Sequence, residues 1–91
     1  MSQSSRIFTG QITGLADTAQ ILAVATHASI REVIVQADPD NSTNALVGNS
    51  SNQYVKLVPG QGVSIPINNL GAIYVKMESA TTGTINWIAR D

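Results

Sequence analysis

The chain of 91 residues is 43% hydrophobic but only 12% charged, with a formal net charge of −1; that is about half the charged fraction of an ordinary soluble domain. Its five basic residues, Arg6, Arg31, Lys56, Lys76 and Arg90, stand singly, so no positive stripe exists to neutralise a nucleic-acid backbone. Cysteine is absent, which excludes a disulfide framework and a thiolate metal cage. The longest apolar run, Ile21 to Ala25, is far shorter than the roughly 20 residues needed to span a bilayer. No basic stretch precedes that run, so the chain reads as soluble and unprocessed. A single domain of this size buries only roughly 60–65% of its unfolded surface, and association with copies of itself or a larger partner is a common way to complete the burial.

Apolar residues recur with period two, and no window keeps the i, i+3, i+4, i+7 spacing long enough for an amphipathic helix. Residues 1–5 are small and polar and are expected to be flexible. The first strand is expected over 6–13, where Phe8, Gly10 and Ile12 alternate with Ile7, Thr9 and Gln11, an alternation the glycine loosens. A second follows over 19–27, although residues 14–25 also read as a short helix with Asp17 near its start. Residues 30–37 give a third, with Val33, Val35 and Ala37 on one face and Glu32, Ile34 and Gln36 on the other. The β-branched side chains suit a pleated surface better than a helix. Five further strands are expected over 45–48, 53–58, 62–68, 72–79 and 83–90. Between them lie DPDN, GNSSN, PGQG, NNLG and ATTG, all turn formers. Pro66 cannot donate a ladder hydrogen bond and places its strand at a sheet edge or a bulge.

About eight short strands at this spacing predict an all-β sandwich or barrel in a single domain, 1–91, the antiparallel sandwich being preferred. The strand phases assign its core to Val33, Val35, Val55, Leu57, Val63, Ile65, Ile73, Val75, Ile85 and Trp87.

Reactive groups are sparse. His27 is the sole histidine, and without cysteine it can form neither a catalytic triad nor a multi-histidine metal site. Asp38, Asp40 and Asn41 carry oxygens of the kind calcium takes. Their spacing lacks the distal bidentate glutamate and the remaining ligands, so they read as an Asx turn. Five of the six acids fall in expected turns or near the termini; Glu32 alone is mid-strand, beside Arg31. No pair of carboxyls is placed to flank a sugar as glycoside hydrolysis requires. PGQG lacks the lysine and the following helix of a phosphate-binding loop and marks a turn. The expectation is a protein that is not an enzyme, with no cofactor and no bound metal.

The outward phases are more informative. Ile7, Ile34, Tyr54, Tyr74 and Ile88 all point away from the expected core, where a monomeric sandwich would carry polar side chains. They are the candidate interface residues of an oligomer or docking surface. Tyr54 and Tyr74 also make a thin platform on which a sugar ring can stack, tyrosine being suited to either use.

The run VIVQADPDNSTNALVGNSS, followed by LVPGQGVSIPINNLGAIYVKMES and INWIAR, resembles small β-sandwich or jelly-roll proteins of tailed-bacteriophage virions. Those proteins often read V-x-V-x-A-D-x-x-N, then a short strand ending in glycine, then L-x-P-G and N-L-x-x-[IV]-Y-V. Val33, Val35, Ala37, Asp38 and Asn41 match the first element, Val47, Gly48, Leu57, Pro59 and Gly60 the next, and Asn69, Leu70, Ile73, Tyr74 and Val75 the third. The resemblance covers residues 30–88. It implies a capsid decoration (cement) protein, usually a homotrimer, that clips over joints between major capsid subunits and has no catalytic residues. It also implies a place on the capsid surface of the virion after synthesis in the host bacterial cytoplasm. The chain is shorter than many decoration proteins and has no clear long N-terminal arm, which leaves its mode of attachment open. The alternative is a carbohydrate- or receptor-binding module of a phage tail or head fibre, with Tyr54 and Tyr74 stacking on a glycan. A lyase or isomerase on a cupin-like sandwich lacks the metal-binding histidines.

Overall fold

The computed structural model describes residues 7–23 and 30–90. Among the described residues eight strands run β1 (Ile7–Leu15), β2 (Gln20–Ile21), β3 (Glu32–Ala37), β4 (Ala45–Gly48), β5 (Val55–Leu57), β6 (Gly62–Ile65), β7 (Tyr74–Met77) and β8 (Gly83–Arg90). They form two four-stranded sheets. Sheet A has the order β1-β8-β3-β6 and sheet B the order β2-β7-β4-β5. Each strand pairs antiparallel with the strand equally far from the other end of the chain: β1 with β8, β2 with β7, β3 with β6 and β4 with β5. This nesting is one long hairpin rolled onto itself, the jelly-roll form of the all-β sandwich that the turn spacing predicts. Among the described residues no helix is long and apolar enough to cross a membrane.

Period-two alternation builds the core. Val33, Val35, Ala37, Ile85 and Ala89 point in from sheet A, and Ala45, Val47, Leu57, Val75 and Met77 meet them from sheet B, all buried. Leu15, Leu22, Ile30, Leu70 and Ile73 are buried beside them but come from strand ends and connections. Loops are tied down where they leave the sheets. Asn41 clamps the start of β8, its side chain donating to the Thr84 carbonyl at 2.9 Å and accepting the Thr84 amide at 2.8 Å. A 3₁₀ turn, Leu70–Ala72, forms where NNLG predicts a turn; Asn69 caps it by accepting the Gly71 N–H and so lets Leu70 plug the core.

Several expectations need correction. Val55 is not core: its phase is inward, in register with Val47, but β5 is the last strand of sheet B and leaves it 53% exposed. Val63, Ile65 and Trp87 are half-buried and pack against the core from its margin. The strand over 62–68 stops at Ile65, so Pro66 lies just outside the strand rather than within it, and β6 is the edge of its sheet. The second strand shrinks to Gln20–Ile21, while residues 24–29, His27 included, lie outside the described residues. A helix over 14–25 does not form over its described part, 14–23, because Gly14 and Leu15 complete β1 and the chain then bends into β2.

One glycine decides how β1 seats. Gly10 lies opposite Trp87, and a Cβ there would stand 2.5 Å from the indole ring. The missing side chain is the niche that lets the ring lie flat along the inner face.

Candidate functional site

The outer face of sheet A is ordered in rows by the strand registers. One row runs Ile7, Arg90, Glu32; the next runs Thr9, Ile88, Ile34, Ser64; a third runs Gln11, Asn86, Gln36, Gly62. Three of the five sequence-predicted interface residues therefore come together. Ile34 and Ile88 are direct cross-strand partners, 45% and 42% exposed, and Ile7 stands one row away at 69%. With Glu32 and Arg90 they line a shallow depression of about 140 Å³. An exposed isoleucine is unremarkable alone; three meeting on one sheet face form a patch.

The charges beside that patch are internally matched. Arg90 Nε donates to Glu32 Oε1 at 3.1 Å, and Ser64 Oγ donates to Glu32 Oε2 at 2.5 Å. The Ser64 hydroxyl and, after it, the Arg90 guanidinium hold the Glu32 carboxyl below the usual glutamate range.

The other end of the same face is polar, an amide row that reaches the Asp38 carboxylate. Gln11 Nε2 donates to Asn86 Oδ1 at 2.8 Å, and Asn86 Nδ2 donates to Gln36 Oε1 at 3.3 Å and to Asp38 Oδ2 at 3.1 Å. Asp38 Oδ1 meanwhile accepts the Asp40 amide at 2.9 Å, closing the Asx turn that DPDN predicts. The Asp40 N–H, and then Asn86, keep the Asp38 carboxyl below its usual range. Of the oxygens considered for calcium, Asp38 Oδ1 thus serves the turn and Asn41 Oδ1 serves β8.

Tyr54 and Tyr74 lie elsewhere. Tyr74 lies on sheet B, half-buried between Gly48 and Ile21, and Tyr54, just before β5 of that sheet, is 82% exposed. The five candidates therefore divide into a cluster of three on one face and two tyrosines on the other sheet. Val55 and Val58, about half-exposed near Tyr54, belong to the exposed apolar surface and were not among the candidates. The signal for Val58 is its place in PGQG's approach, where its N–H is held by the Gln61 side chain and a turn fixes it outside the sheet. Comparison with protein-family models, curated proteins and solved structures returned no match to this chain.

Proposed function

We propose that the protein is a structural component of a phage virion, a decoration or cement protein that self-associates and binds the major capsid lattice through the outer face of sheet A. The observation that carries the reading is the Ile7, Ile34 and Ile88 patch. Their exposed fractions of 69%, 45% and 42% amount to about one and a half isoleucine side chains, and each such side chain gains about 1.5–3 kcal/mol when fully covered. A gain of this order per copy is modest alone and large when repeated over a lattice. The jelly roll supports the reading by analogy, since capsid and lectin domains both use it. So does the resemblance carried by residues 30–88.

The test is rebinding of the purified chain to capsids stripped of it, followed by co-sedimentation. Ile34→Ser with Ile88→Ser should leave the fold intact and weaken binding at least tenfold. Failure of the unaltered chain to rebind, or rebinding indifferent to the double substitution, overturns the proposal. The second reading, a glycan-binding module, is favoured by the single observation of Tyr54 at 82% exposure. Glycan-array binding lost in Tyr54→Ala would select it instead.

A further inference from the structure

The four sheet edges are unequal. β2 is two residues long; β5 is three and carries Lys56; β6 is four and is followed at once by Pro66. Brevity, charge and proline are the usual guards against edge-to-edge pairing. β1 has none of them over most of its nine residues: its sequence, IFTGQITGL, contains no charge and no proline. Its register with β8 is regular as far as Ile12, and the irregularity comes only beyond it. Over residues 9–12 no hydrogen bond joins the outer edge of β1 to another strand.

The side chains say what fits that edge. Across the outer face of sheet A the amides form a directed ladder, with Gln11 donating to Asn86 and Asn86 to Gln36. The ladder stops at the edge with Gln11, which still has its Oε1 acceptor and its second Nε2 proton to offer. An acceptor and a donor on one planar amide are complementary to the same amide turned through 180°. We infer that β1 pairs antiparallel with β1 of a second copy about a two-fold axis at Gln11, so that Gln11 of each copy exchanges hydrogen bonds with Gln11 of the other.

Sheet A then continues as an eight-stranded sheet, and the amide ladder runs unbroken across the axis. The copy number becomes two, where the resemblance implies three. The two apolar patches fall on one continuous outer surface, at opposite ends of the paired strands, so a dimer would present two attachment points to a lattice and gain avidity without a new contact. The inference rests on the self-association in the proposed function, but not on its capsid partner.

Sedimentation equilibrium of the full chain tests it. The expected mass is twice the 9.6 kDa of one chain. Gln11→Lys and Gln11→Glu should each sediment as monomers, because like charges meet at the axis, and an equimolar mixture should restore the dimer. The chain has no cysteine, so Gln11→Cys should crosslink to a dimer on mild oxidation, opposed strands holding Cα atoms about 4.5–5.5 Å apart within disulfide range. Ser64→Cys, on the guarded β6 edge, should not. A monomer or trimer for the unaltered chain, a dimer unmoved by Gln11→Lys, or crosslinking no better at 11 than at 64 overturns the inference. A dimer that ignores capsids removes the capsid role and leaves the pairing; a monomer that binds capsids removes the pairing and the self-association and leaves the capsid role.

Discussion

Gly10→Ala is the sharpest probe of how the sandwich closes. Its Cβ would lie 2.5 Å from Trp87 Cε2 and Cζ2 and 2.6 Å from Nε1, where carbon atoms in contact normally keep about 3.5–4.0 Å. The ring must therefore retreat by about 1 Å, and it is backed by the half-buried margin of the core. Overpacking of this kind costs about 1–3 kcal/mol. Alanine recovers about 0.4–1 kcal/mol by restricting the unfolded chain, since Gly10 is not among the positive-φ glycines. The net expectation is a loss of about 1–2 kcal/mol, read as a lowered urea midpoint with unchanged slope by far-UV circular dichroism. Trp87→Leu removes the obstacle, so the double variant should be more stable than the two single losses added together, with a coupling of about 1 kcal/mol. Additive losses, or a neutral Gly10→Ala, would show that the indole does not occupy the niche.

Two other outcomes follow from the hydrogen bonds. Asn41→Ala leaves both the amide and the carbonyl of Thr84 without their side-chain partner, and should lower stability by about 1–3 kcal/mol in the same urea assay; a loss below about 0.5 would mean the clamp contributes little. Glu32, Asp38 and Glu78 all titrate below their ordinary values of 4.5, 3.8 and 4.5, the last because it accepts from Lys56 at 2.8 Å. A carboxyl with a depressed folded pKa stabilises the fold above its unfolded pKa and loses that contribution as pH falls through the folded value. The thermal midpoint should therefore fall on acidification below about pH 4.5, less steeply in Glu32→Gln; a midpoint that rises there contradicts the assignment.

Much of the fold is legible in the sequence because turn chemistry is local. ALVG and GTINWIAR become β4 and β8 residue for residue, each bounded by a connection rich in Asn, Ser, Thr or Gly. What escapes the local pattern is strand order. Val55 has the right phase and the wrong neighbourhood, because whether a strand is central or at an edge depends on partners far along the chain. Leu15, Leu22, Ile30 and Leu70 escape for another reason: they fill the core from strand ends and connections, where alternation carries no information. Gly10 weakens the period-two signal of β1, and only its pairing with Trp87 reveals that the gap is filled from β8. The candidate site divides in the same way. Outward phases mark Ile7, Ile34 and Ile88 one at a time, but their adjacency needs the registers of β1 and β3 on β8, and the same phases could not separate them from Tyr54 and Tyr74 on the other sheet.

That separation decides which face can be covered at least cost. On sheet B the outward positions include Lys76 on β7 and Lys56 on β5, the latter paired with Glu78 in an exposed bridge with 54% and 40% of the two side chains open to solvent. Covering that face would strip water from charges whose mutual attraction repays little of the loss. On sheet A the isoleucines stand beside the Glu32–Arg90 pair, and Ser64 supplies Glu32 with a further hydrogen bond. A partner seated over Ile34 and Ile88 would bury the aliphatic row while the ion pair stays at the rim, the division between apolar centre and polar margin that stable interfaces adopt. Sheet B then faces water, and Tyr54 with it. On this geometry a substitution at Tyr54 leaves capsid rebinding unchanged, whereas Ile88→Asp, which sets a carboxylate among Ile7, Ile34 and Glu32, abolishes it; the opposite pattern would move the docking face to the other sheet.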